Sequence, residues 1–161
     1  GLLTCVWSHF LRRLGERPVR LLAKFEQLFP LPPPQRIVQA PDREMWAAAN
    51  FNRTSHISVG NAETDAQTTF SYQSAKIKQT TKRRPLPTWA RYLAGVSVYI
   101  DVAEMPGLDV GVCGNEPAGP RYEFALGILF GALWREVNGQ AANAADLLEL
   151  TERVRRDYIG G

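Results

Sequence analysis

The chain has 161 residues, 45% hydrophobic and 22% charged, with a formal charge of +3. That length suffices for one domain with its own core, and the small charge gives no argument of its own for a nucleic-acid partner. No apolar run reaches the roughly 18 residues that a membrane span needs, and the distant Cys5 and Cys113 fit no metal spacing; they read as buried thiols of a reducing compartment, with a disulfide as the alternative.

Residues 8–29 read as an amphipathic helix with Ser8 as its cap and Leu11, Leu14, Leu21, Leu22, Phe25 and Leu28 at helical spacing. Pro18 should kink it. Its arginines follow the first apolar stretch rather than precede it, the wrong order for a secretory signal. A surface helix is the preferred reading, and a transit peptide the alternative. The chain opens without Met and closes on Gly160 and Gly161, as a fragment would. PLPPPQ, residues 30–35, forms a stiff connector.

Residues 36–40 look like a strand ending at Pro41, and the Ala-rich residues 43–51 like a short helical turn. Residues 55–60 and 66–73 alternate with period two and read as strands, joined by a polar turn holding Gly60, Asn61 and Asp65. KIKQTTKRRPLP, residues 76–87, is the most basic segment. No aromatic residue interleaves with its charges as a single-strand binder requires, so it reads as a solvated loop rather than a nucleic-acid patch.

Residues 88–103 predict a helix capped by Thr88, with Trp89, Tyr92, Leu93, Val96 and Ile100 at helical spacing. Gly95 weakens it by about 1 kcal/mol relative to Ala. A short strand over 108–113 leads into a Gly/Pro loop, 114–119, and then a helix over 120–137 with Pro120 in its first turn. That helix is apolar nearly all round and must be buried on most faces. Asn138 and Gly139 end it. Asn143 caps a last helix over 144–158, whose stripe is Leu147, Leu150, Val154 and Tyr158. Glu149 with Arg153, and Glu152 with Arg156, stand at i,i+4 spacing. The last two helices should form an antiparallel pair.

His9 and His56 lack partners at metal spacing, and there is no nucleophile elbow, CxxC or Walker loop. Asn52-Arg53-Thr54 is a sequon without meaning unless the chain is secreted. Two loops carry chemistry. Arg43, after the first strand, can clamp phosphate or stabilise charge in its transfer. The 114–119 loop opens a helix, whose unpaired N–H groups and positive dipole end suit an anion. A solvated arginine and a plain helix start are the blander readings.

The order of these features resembles the N-terminal part of galactokinases, in the GHMP small-molecule kinase superfamily. AKFEQLFPLPPPQRIVQ is similar to their helix, Phe-rich segment and Pro connector. Ala40-Pro41-Asp42-Arg43 stands where they carry Ala-Pro-Gly-Arg. TWARYLAGV matches their Trp-x-x-Tyr-x-x-Gly-Val helix at Trp89, Tyr92, Gly95 and Val96. GLDVGV and GNEPAG resemble their next strand and phosphate loop, with Gly114, Asn115, Pro117 and Gly119 matching. Tyr158-Ile159-Gly160 resembles an aromatic-Val-Gly segment. The likeness spans nearly the whole chain, best over 88–160 and patchy over 42–80.

The resemblance implies an α+β fold, the GHMP kinase N-terminal domain (ribosomal protein S5 domain 2-like), with a mixed sheet and helices packed mainly on one face. Residues 1–161 would form a single such domain, with the C-terminal lobe absent. It implies a cytoplasmic, galactokinase-like phosphotransferase that uses ATP and Mg²⁺ on galactose or a related sugar; beside it, the residues themselves predict no membrane partner and disfavour a nucleic-acid one, which the basic stretch 76–84 leaves open. Arg43 would be catalytic, and Gly114, Asn115, Pro117 and Gly119 would bind ATP. The departures fall on the functional motifs. Asp42 replaces a Gly, and the sugar-binding run that should follow is missing. In the phosphate loop Arg121 replaces a Gly, and Glu123, Phe124 and Ala125 replace three Ser. The family's Asp base falls past the last residue. These changes imply an impaired kinase; a non-catalytic sugar- or nucleotide-binding or scaffold protein is the alternative, and an unrelated α+β interaction domain a second.

Overall fold

The computed structural model describes residues 34–61, 64–114 and 116–160. The expected N-terminal helix, most of the Pro-rich connector, Cys5 and His9 lie outside the described residues.

Runs of Val, Ile, Thr and Ala build a five-stranded sheet. Its strands are β1 (Arg36–Gln39), β2 (Met45–Phe51), β3 (His56–Asn61), β4 (Gln67–Ser71) and β5 (Leu108–Gly114), in the order β1-β2-β5-β3-β4. β3 and β5 pair in parallel and the other neighbours antiparallel, so the sheet is mixed. The parallel pair needs a long crossover. It runs through β4, α1 (Tyr72–Lys76), a 3₁₀ turn at Thr88–Ala90 and α2 (Arg91–Tyr99). After β5 come α3 (Pro120–Val137) and α4 (Ala144–Val154), the latter extended by a wider π turn over Arg155–Ile159.

The expected helical turn at 43–51 is instead strand β2. It is buried on both faces from Met45 to Asn50, so it carries no period-two signal. Its place between β1 and β5, with Ala47 beside both Val38 and Val112, overrides the helix preference of Ala. The strand expected over 66–73 stops at Ser71, which caps α1 in a reciprocal capping box. Ser74 N–H donates to Ser71 Oγ at 3.0 Å and Ser71 N–H to Ser74 Oγ at 2.9 Å. Thr88 does not cap the next helix, since it lies inside the 3₁₀ turn that follows Pro87. That helix ends at Tyr99 rather than near 103, because Ile100 is extended.

The core lies between the sheet and one layer of helices. Val38, Ala47, Ile57, Val59, Phe70, Val110 and Val112 face Leu93 and Val96 of α2, Leu126, Phe130 and Trp134 of α3, and Leu147 and Val154 of α4. α3 spans the expected residues and is buried over most of its length. α3 and α4 run antiparallel, Gly127 meeting Thr151 and Gly131 meeting Leu147. A Cβ on Gly95 would collide with Val154 Cγ1, so the helix weakening at that position permits close approach of α2 to α4. Asn143 caps α4 as expected, its side chain accepting from Asp146 N–H at 3.1 Å. The ion pairs on this helix differ from those expected: Arg155 meets Glu152 at 2.7 Å and Arg153 meets Asp157 at 3.8 Å. Arg153 turns to Asp157 instead of Glu149, and the π turn after Val154 alters the angular spacing between Glu152 and Arg156.

Candidate functional site

β2 and β5 pair with Met45 opposite Gly114, so the loop before β2 and the loop after β5 leave the sheet at the same end. Arg43 and the 114–119 loop, far apart in sequence, are thereby neighbours. Arg43 meets Glu116 at 3.8 Å, and its guanidinium lies 5.8 Å from the centre of the Phe124 ring. Asp42, at the position where the resembling kinases carry Gly, has φ 59°, a left-handed conformation that Asp tolerates better than most residues.

Two glycines shape the loop for different reasons. Gly114 has no room for a side chain, since a Cβ would strike Met45 Sδ and lie 2.8 Å from Glu44 O. Gly119, with φ 134° and ψ −167°, occupies backbone space that is essentially reserved for glycine, while a Cβ there would meet open space. It opens α3. Pro120 brings no N–H to the first turn, and Glu123 N–H already donates to Gly119 O at 3.1 Å. Of the four N–H positions that open the helix, 119–122, the one at Pro120 is thus missing, and Glu123 N–H is the first to be paired within the helix.

A hollow of about 570 Å³ lies on one flank of this turn. Asn61, Thr64 and Ala66 line it from the β3–β4 hairpin, Trp89 from the 3₁₀ turn, Gly114, Glu116, Ala118 and Gly119 from the loop, and Tyr122 and Glu123 from α3. Asn61 Nδ2 donates to the buried Tyr122 hydroxyl at 2.8 Å. Glu123 is drawn to Arg91 at 3.6 Å. On the other flank a second hollow of about 290 Å³ is lined by Arg43, Arg121 and Arg155 with Tyr92, Phe124 and Glu152. Burial pushes the Tyr92 phenol above its ordinary value, with Arg155 pulling the other way, so its hydroxyl stays protonated. The hydrogen bond to Glu152 raises the Arg155 guanidinium.

The structure therefore gathers three of the expected residues. Gly114 and Gly119 line the larger hollow and Arg43 the smaller. Pro117 is exposed on the loop, and Asn115 lies outside the described residues. Sequence reasoning missed the hairpin residues Asn61, Thr64 and Ala66, which carry no motif. It also missed Trp89 and Arg155 as site residues. Trp89 had a signal, since it matches the resembling kinases, but spacing assigned it to the core.

Mg²⁺ takes oxygen ligands in near-octahedral array. Glu116, Glu123 and Glu152, the carboxylates lining the two hollows, each face an arginine. Among the described residues no three His, Cys, Asp or Glu side chains gather as metal ligands. The donor set does not fit Mg²⁺.

No protein-family model matches the chain, and no curated protein matches it. Solved structures do. The chain is similar to Lactococcus lactis galactokinase complexed with galactose, at 13% identity and TM-score 0.61 over 88% of this chain and 42% of that one. It is also similar to Methanococcus jannaschii mevalonate kinase, at 8% identity and TM-score 0.57 over 74% of this chain and 38% of that one. A second mevalonate kinase gives 9% identity and TM-score 0.56, over 74% and 38%. The fold is therefore that of a GHMP small-molecule kinase domain: α+β, with a mixed sheet and helices mainly on one face. The chain spans about two-fifths of the length of these kinases, and galactokinase and mevalonate kinase match it comparably in fold. Among the described residues no helix is long and apolar enough to cross a membrane.

Proposed function

We propose that the chain is a galactokinase-like GHMP kinase domain that binds a nucleotide in the larger hollow, and that residues 1–161 alone transfer phosphate very slowly or not at all. The observation that carries this reading is the convergence of the β3–β4 hairpin, Trp89 and the glycine-bounded loop on one hollow of about 570 Å³. An aromatic wall, small apolar side chains and a few polar groups suit a purine nucleoside. Gly119 and the first turn of α3 supply backbone where phosphates would follow. Phosphoryl transfer depends on positioning and charge neutralisation. Arg43 is the residue assigned to that neutralisation, and galactose or a related sugar is the acceptor of the lineage. Glu123 and the missing hydroxyls oppose efficient transfer. The cytoplasm is the setting we assign to it, on the reading of Cys5 and Cys113 as thiols of a reducing compartment.

A non-catalytic nucleotide-binding or scaffold role is the second reading, and Glu123 at the phosphate end of the hollow favours it. Calorimetry with adenosine, ATP and galactose, beside a coupled ATP/galactose assay, tests both. Adenosine binding that is lost in Trp89→Ala supports the nucleotide site. Binding without turnover favours the second reading, robust turnover overturns the claim of impaired transfer, and absence of adenosine binding overturns the nucleotide site.

A further inference from the structure

Three arginines from three separate elements meet at one place. Arg43 comes from the loop before β2, Arg121 from the first turn of α3 and Arg155 from the π turn after α4, and all three line the hollow of about 290 Å³. Glu152 is the one acid lining it, and with Glu116 held against Arg43 the three cations keep an excess of one positive charge. Like charges brought together repel, and the cost falls only when an anion joins them. Two of the three have carboxylate partners: Arg155 with Glu152 at 2.7 Å, and Arg43 with Glu116 at 3.8 Å. Arg121 has no hydrogen-bond or ion-pair partner among the described residues. It also sits in the first turn of α3, where the positive end of the helix disfavours a cation. The apolar wall is fixed, Tyr92 and Phe124 standing edge to face with ring centres 5.6 Å apart.

We infer that this hollow binds the phosphates of a nucleotide without a divalent cation, Arg43, Arg121 and Arg155 taking the charge that Mg²⁺ neutralises in a metal-dependent kinase. The inference rests on the nucleotide reading for the source of the phosphates. Both hollows border the first turn of α3, Gly119 lining the larger and Arg121 the smaller, which sets the phosphate site beside the nucleoside site. Guanidinium forks match phosphate oxygens in paired hydrogen bonds, and the charge on Arg121, which no carboxylate offsets, favours an anion. The same three cations repel Mg²⁺.

Calorimetry with sodium pyrophosphate, ADP and adenosine, each in EDTA and in excess Mg²⁺, tests this on the full chain. Arg121→Ala, Arg155→Gln and Arg155→Lys are compared with the parent protein; thermal melts check their folding, which the exposure of both side chains should leave intact. Pyrophosphate and ADP should bind in EDTA and no better in Mg²⁺. Each charge-removing substitution should weaken both by about tenfold, the loss of one charge-assisted hydrogen bond. Arg155→Lys should recover part of the loss, and adenosine should be unaffected throughout. Pyrophosphate binding that requires Mg²⁺, that ignores the arginine substitutions, or that is absent overturns the inference. Pyrophosphate binding with the expected losses but no adenosine binding keeps the arginine site as one for free phosphates and overturns the nucleotide reading instead.

Discussion

Asn61 Nδ2 donates to the Tyr122 hydroxyl at 2.8 Å, and this buried bond ties the end of β3 to the first turn of α3 along the wall of the larger hollow. The sheet and α3 are thereby held in fixed relation. Tyr122→Phe keeps the ring and removes the acceptor. It should cost about 1–2 kcal/mol of stability, measured by urea unfolding. Adenosine affinity should fall as well, because the hairpin wall loosens. An unchanged urea midpoint would show that the bond carries no weight in solution.

Trp134 and Ser97 form the polar element at the centre of the helical layer. Trp134 Nε1 donates to Ser97 Oγ at 2.9 Å, and that hydroxyl donates to Leu93 O at 2.8 Å. Both residues are fully buried. Ser97→Ala strands the indole N–H without an acceptor and should cost about 1–3 kcal/mol. Trp134→Phe removes the donor and creates a void. The double variant should therefore lose less than the two single losses added together, and simple additivity in a double-mutant cycle would refute the coupling.

Gly114 and Gly119 carried one expectation in the sequence, a loop that lets backbone approach phosphate, and the structure separates them. At Gly119 a Cβ meets nothing, so Gly119→Ala costs only backbone strain, about 1–3 kcal/mol. At Gly114 the obstacle is Met45 itself, so Gly114→Ala should push β2 from β5 and be relieved in part by a second change, Met45→Ala. Thermal melts of the four variants distinguish the cases: a rescue of Gly119→Ala by Met45→Ala, or none of Gly114→Ala, contradicts this division.

What the sequence made legible was periodic or punctuated. α3 declares itself by its apolar run and by Pro120 in its first turn, and the cap at Asn143 and strands β3 and β5 were equally plain. β2 was not, because burial on both faces erases alternation and Ala47, Ala48 and Ala49 speak for helix by intrinsic preference. The site was half legible. Gly114, Gly119 and Arg43 lie in loops with recognisable chemistry, but only the pairing of Met45 with Gly114 makes them neighbours. Arg155 could not be placed at all, since the π turn that carries it to Arg43 and Arg121 has no signature in residue spacing.

Glu123 falls at a Ser position of the motif that the sequence resembles, and here it lines the larger hollow 3.6 Å from Arg91. On the nucleotide reading, Glu123→Ser removes a negative charge from the phosphate end and restores a hydroxyl. ATP affinity by calorimetry should rise several-fold, with adenosine unchanged. Because the Arg91 pair is partly exposed, its loss should move stability by less than about 1 kcal/mol. ATP affinity that falls in this variant would show that Glu123 does not face the phosphates.

Tyr158 gives the fold a limit at high pH. Its hydroxyl donates to Ala75 O at 2.5 Å, joining the π turn to α1. Burial, with Tyr99 close by, pushes the phenol from 10.0 up to about 12. Between those two values the unfolded chain has released this proton while the folded chain keeps it. The stability that the group contributes is thus complete below pH 10 and is lost as pH rises through about 12. Tyr92, also raised by burial, acts in the same direction. Tyr158→Phe loses the hydrogen bond, about 1 kcal/mol near neutrality, but has no phenol to ionise. Urea unfolding at a series of pH values should show the parent protein more stable at neutrality and the gap closing above about pH 10. Parallel curves for the two proteins across that range would mean that the phenol ionises as freely in the fold as out of it.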